Sequence, residues 1–317
     1  MGQVERVEVV EYTDVMCSWA WGSEPKLRLL RWRYEDWCDW RLVMGGLVGD
    51  RTTNPAWDPV GPVPKTIAFW AQVAAYTGAP YPVHLQWIAS CSDASGLGLC
   101  AVRLQGDNVA LAVLRRMREA IFVFGRPPDT LARVLDAVQG TPGLDVERFA
   151  RDLPGPEALA AYRADWEETR KPNASVRNLQ GDWPGIGNLK QTDGLERYAF
   201  PTLLFRGPGG EHTVPGWCPL TAYLEAMEQV VPGSTVAPRP DPTPNEAFAR
   251  WPLLTATELA ILCGPNAAPP SGATPYDWGN GGVYLRPELY PAICIPREHA
   301  HARDQTADPL WQKQPTT

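Results

Sequence analysis

Valines at positions 4, 7, 9 and 10 fall among polar residues between Val4 and Tyr12, and this β-branched alternation predicts a first strand. Thr13 and Asp14 follow as capping residues, and Leu27, Leu30, Trp32 and Tyr34 mark a helix running to about Trp37. Pro25 lies inside that helix. Because proline removes a backbone donor and crowds the preceding turn, a kink is expected there. Trp40 to Leu47 reads as a second strand ending at a glycine pair, so the chain opens as β-α-β, the start of an α/β domain.

Prolines from about Asn54 to Pro64 break every periodicity. Beyond them the pattern turns helical. Ile67 to Tyr76, Gly96 to Leu104, Asn108 to Phe124, Thr130 to Gln139, Val146 to Leu153 and Glu157 to Arg170 each space their apolar residues three to four apart. Residues 59–193 are therefore expected to form an all-helical insertion. After a Gly- and Asn-rich loop (Gly181 to Gly194), Phe200 to Phe205 reads as a strand, Gly207 to Gly210 as a turn, His212 to Pro215 as the hairpin partner and Leu220 to Val230 as a helix. Residues 1–58 and 194–232 together would make one α/β unit around the insertion. A proline-rich linker opens the last part, 233–317, which holds a helix at TATELAILC with Thr255 as its N-cap and ends in a polar tail.

Net charge narrows the partners. At −7 over 317 residues, with no Lys/Arg run, the chain lacks the basic footprint of a nucleic-acid binder. Its longest apolar runs fall short of a membrane span. The N-terminus lacks the charge-then-apolar order of a secretory signal, and seven scattered cysteines form no disulfide framework. A reducing cytoplasm with free thiols is the expected setting. No Cys-x-x-Cys occurs, and no bound metal or tightly held cofactor is expected. His299 and His301 in the tail are read as solvated.

One constellation carries chemistry. In Asp14-Val15-Met16-Cys17-Ser18-Trp19-Ala20-Trp21-Gly22, Cys17 stands where a strand gives way to a helix. There the unpaired backbone amides and the positive end of the helix dipole favour a thiolate, so a lowered pKa and an activated nucleophile are expected. The position alone leaves open a buried structural cysteine.

The strand, Asp14, Cys17 and helix start, with Gly22 and Pro25 beyond, resemble the active-site opening of DsbA-like thioredoxin-fold proteins, and most closely their cytosolic FrnE-like branch. That branch is related to kappa glutathione transferases and 2-hydroxychromene-2-carboxylate isomerases. Met44 to Val48 resembles the end of its second strand. Arg115 to Phe122 and Gly143 to Leu153 resemble its helical lid, and Tyr198 to Thr202 the loop holding a cis-proline beside the cysteine. The resemblance covers about residues 4–232. It implies a thioredoxin-like α/β fold with a large helical insertion and a C-terminal extension, Cys17 as nucleophile, and a substrate groove shaped by Ser18, Trp19, Phe200 and cis-Pro201. Asp14 is expected to cap the helix or assist. Trp21, Trp87, Trp183 and Trp217 are further candidates for aromatic walls.

Here the sequence departs from the family, because Ala20 stands where the resolving cysteine belongs. A dithiol cycle needs that second thiol to release the mixed disulfide. Cys38 and Cys218 are expected to be inert apolar residues. The resemblance therefore implies a monothiol enzyme of the thiol–disulfide exchange or isomerase type, with glutathione or mycothiol as an outside cosubstrate. It leaves open a thiol-dependent transferase or isomerase acting on an electrophilic small molecule in secondary metabolism, and a non-catalytic adaptor. Partners would be a small thiol, an electrophile or a protein disulfide, and a homodimer stays open.

Overall fold

The computed structural model of the chain describes residues 6–177, 179, 187–231, 237–277 and 281–290. Strand β1 (Val7–Thr13) lies at the centre of a four-stranded sheet and is buried on both faces. It pairs in parallel with β2 (Cys38–Met44), to which helix α1 (Ser18–Arg33) connects it. On its other side it pairs antiparallel with β5 (Thr202–Gly207), which turns through a hairpin into β6 (Gly210–Pro215). Val7 and Val9 point to a core shared with Leu27 and Leu30 of α1, Leu203 and Phe205 of β5, and Tyr223 of α8 (Leu220–Val230). Val10 and Tyr12 point the other way, against Val43, Tyr198, Phe200 and Leu204. The valine alternation thus places a hydrophobic layer on each side of one strand. The result is the thioredoxin-like α/β architecture expected from the sequence.

Between β2 and β5 the described residues include six α-helices, α2 (Val63–Thr77), α3 (Asp93–Arg103), α4 (Asp107–Phe122), α5 (Leu131–Val138), α6 (Val146–Asp152) and α7 (Pro156–Thr169), then a short hairpin of β3 (Lys190–Thr192) and β4 (Leu195–Arg197). Leu99, Val113, Leu114, Met117, Val134 and Phe149 form a core that the helices share with Val15 and with Leu42 and Met44 of β2. α7 closes the exposed edge of the sheet. The Asp165 carboxylate accepts from the backbone N–H of Met44 at 2.9 Å, and Glu168 accepts from the Tyr12 hydroxyl at 3.0 Å.

α1 stops at Arg33, one turn earlier than the sequence suggests. Tyr34 to Trp37 instead form a tight turn in which the N–H groups of Trp37 and Cys38 both donate to the Tyr34 carbonyl. Pro25 does not end the helix, which runs on to Arg33. Beyond residue 237, α9 (Pro244–Arg250), α10 (Ala256–Cys263) and a sheet of β7 (Leu253–Thr255), β9 (Gly282–Leu285) and β8 (Thr274–Asp277) share a core with Leu29 of α1. Thr255 caps α10, and Glu258 reaches back to complete a capping box. The tail histidines lie outside the described residues.

Candidate active site

Cys17 is the N-cap of α1, with an extended backbone that places its side chain at the end of the helix. Its Sγ donates to the carbonyl of Phe200 at 3.3 Å, and the Phe200–Pro201 peptide bond is cis. One hydrogen bond therefore joins the helix start to the proline loop across 183 residues of sequence. The glycine pair after β2 explains how the loop comes so close. A Cβ on Gly45 would lie 1.8 Å from the Phe200 ring, so only a glycine leaves room for it.

Asp14 does not cap α1. Its buried carboxylate accepts from the N–H of Met16 at 2.9 Å, the N–H of Leu47 at 2.8 Å and the Ser92 hydroxyl at 2.9 Å. It ties the cysteine turn to the end of β2 and the start of α3. Burial pushes its pKa up against the pull of these donors.

The ionisation expected of Cys17 is overturned. The residue is 4% exposed, and burial pushes its pKa up to about 11, although the Ala20 N–H and the Arg118 and Arg197 guanidiniums favour the thiolate. Removing the sulfur from water outweighs the helix start. The resting group is a neutral thiol that donates a hydrogen bond.

That thiol nevertheless faces space. A cavity of about 760 Å³ is lined by Cys17, Ser18 and Trp19 from the start of α1, by Phe69 and Trp70 of α2, and by Phe200 of the proline loop. Trp217 closes a further side, its ring 6.4 Å from that of Trp19. Among the five candidate tryptophans, Trp19 and Trp217 line the cavity. Trp21 is buried beneath it against Phe122. Trp87 packs against Arg133 elsewhere, and Trp183 lies outside the described residues. Pro201 is buried behind Phe200.

Sequence reasoning missed Arg197. It is 4% exposed, stacks 4.4 Å from the Phe200 ring and donates to the Thr192 hydroxyl and the Tyr198 carbonyl. Its place three residues before Phe200 was the available signal. Arg51, Lys65 and Lys190, which also line the cavity, come from three separate segments and share no motif.

Among the described residues, no second cysteine lines the cavity, as none stands in the motif. Ala20 is fully buried in the resolving position, and the six cysteines among the described residues are all free. Cys38 packs against Met227, and Cys218 donates to the Pro215 carbonyl.

A family model described as Thioredoxin matches residues 11–174. A ClpXP adapter protein, SpxH, of Shouchella clausii is 22% identical over 259 residues, which are 81% of this chain and 77% of that protein. A structure assigned as a protein disulfide isomerase from Nitrosomonas europaea superposes with a TM-score of 0.54 at 17% identity, over 71% of this chain and 97% of the other. The cytosolic disulfide reductase DsbM of Pseudomonas aeruginosa gives a TM-score of 0.50 at 20% identity, over 69% and 98%. At these identities the two structures establish the fold.

Proposed function

The chain belongs to the thioredoxin family, and from that premise we propose that it is a monothiol enzyme of the thiol–disulfide exchange type, acting on a small molecule held in the cavity, with Cys17 as its one reacting thiol. The observation that carries this reading is the placement of Cys17 in the lining of the cavity, with its Sγ hydrogen-bonded to the residue that precedes the cis-proline. An enclosed sulfur suits a small disulfide better than a folded protein.

A ligand disulfide R–S–S–R′ enters, and Cys17 gives up its proton to solvent. The thiolate attacks one ligand sulfur, forming Cys17–S–S–R and expelling R′S⁻, which takes up a proton. A free thiol R″S⁻ then attacks the R sulfur, giving R–S–S–R″ and returning the Cys17 thiolate. No net oxidation occurs. Ala20 supplies no internal thiol for the second step, so an outside low-molecular-weight thiol such as glutathione or mycothiol performs it. Because the thiol's pKa lies near 11, the first step speeds up about tenfold per pH unit from neutrality upward.

Intact mass after incubation with oxidised glutathione and with mycothiol disulfide tests the reading. One adduct per chain on Cys17, removable by the free thiol and absent from Cys17→Ser, is expected. Labelling confined to other cysteines would contradict it.

A second reading, a non-catalytic adaptor, draws support from the ClpXP adapter protein aligned over 81% of this chain and from the missing second cysteine. An inert Cys17 in a folded protein would favour it.

A further inference from the structure

The cavity has one sign of charge. Arg51, Lys65, Lys190 and Arg197 line it, and no aspartate or glutamate does so among the described residues, although the whole chain carries −7. In their hydrogen bonds three of these cations meet neutral oxygens, and Arg197 also feels the buried Asp14 carboxylate behind the cavity wall. Arg51 donates to the Ala89 carbonyl, Lys190 to the Asn188 side-chain oxygen, and Arg197 to Thr192 and the Tyr198 carbonyl. Arg197 is buried deep, whereas Arg51, Lys65 and Lys190 are exposed at the rim. A second feature points the same way. The sixteen-residue helix α1 aims its N-terminus at the cavity, with Ser18 and Trp19 in the lining and no acidic side chain in its first turn. The remaining lining holds a few neutral polar groups (Ser18, Thr66, Asn188 and Gln191) and is otherwise largely apolar and aromatic, with the rings of Phe69, Trp70, Phe200 and Trp217.

We infer that the cavity binds a small organic anion with a ring-bearing body. The anionic group would sit among the guanidiniums and amines, and the body against the aromatic walls. The inference takes the cavity of the thiol reading as the binding site, but it does not depend on the reactivity of Cys17. The low-molecular-weight thiol of the second step need only reach the sulfur, whereas the anion is the ligand held in the cavity.

Two fluorescent probes with the same ring body test it on the full chain. 1-Anilinonaphthalene-8-sulfonate carries the anion, and N-phenyl-1-naphthylamine lacks it. The sulfonate is expected to bind once per chain, at least about tenfold more tightly than the neutral probe, and to weaken as salt is raised. The Lys65→Gln/Lys190→Gln double variant should weaken the sulfonate by about tenfold and leave the neutral probe within about twofold. Equal affinity for the two probes would overturn the inference, as would a double variant that binds the sulfonate unchanged. Cys17→Ser separates this inference from the catalytic reading. Sulfonate binding retained in a variant that has lost the glutathione adduct supports both. Tight sulfonate binding by a wild-type protein that forms no adduct removes the thiol reading alone.

Discussion

Two sets of charges meet helix α1, and they differ in one respect. Along the middle of the helix, Glu24, Arg28 and Arg31 join Glu11 of β1, Arg115, Arg118 and Glu119 of α4, and Glu258 of α10 in a buried network. Four carboxylates there face four guanidiniums. At the N-terminus of the same helix, four cations surround the cavity with no carboxylate in the described lining. The first set is closed. Each charge finds its counter-charge inside the fold, and the network fastens the sheet, α1, the insertion and the C-terminal segment together. The second set is open at its rim, where Arg51, Lys65 and Lys190 face the cavity without a carboxylate in the described lining, while Arg197 behind them feels Asp14. The difference separates charges that hold the structure from charges that wait for a ligand.

Breaking the closed set should have the largest effect. Arg118 is fully buried and bridges Glu24, Glu11 and the Thr13 hydroxyl. Arg118→Met leaves two buried carboxylates short of a partner and is expected to cost roughly 3–5 kcal/mol in urea unfolding. A loss below about 1 kcal/mol would mean that the network adds little to stability.

Acid should dissolve the same set. Burial alone would raise the pKa of Glu24, but Arg118, Arg31, Arg28 and Arg115 together outweigh it and hold the group down to about 2, below its ordinary 4.5. A carboxylate with a depressed folded pKa contributes stability that is complete above the unfolded pKa and lost as pH falls through the folded one. Unfolding midpoints should therefore drop steadily between about pH 4.5 and 2. In Glu24→Gln the slope over that window should be shallower. An identical slope in the variant would show that Glu24 is not the titrating group.

The open set should be nearly silent in the same assay. Lys65 and Lys190 are exposed, so Lys65→Gln/Lys190→Gln should change stability by no more than about 0.5 kcal/mol. A larger loss would return these lysines to the structural set.

Much of the fold was legible in the sequence because it rests on local signals. The helices from α2 to α7 follow three-to-four spacing, and Thr255 caps α10 as its side-chain chemistry predicts. Elements too short for a period stayed hidden. β3, β4 and β7 have three residues each, and α9 follows a proline run. In the site, the place of Cys17 and the close approach of Phe200 could be anticipated from short motifs. The ionisation of Cys17 could not, because its burial is built by chain segments nearly two hundred residues apart. The cationic lining was hidden for the same reason.

The most direct test of the account is the pH dependence of Cys17 alkylation by iodoacetamide, followed by peptide mass analysis of the folded protein. A neutral thiol on the cavity wall, pushed up by burial, should label with a midpoint near 11. It should become protected when the anionic probe fills the cavity. A midpoint below about 8.5, the ordinary value for a free cysteine, would contradict the buried-thiol account. Labelling that the probe leaves unchanged would separate the sulfur from the cavity.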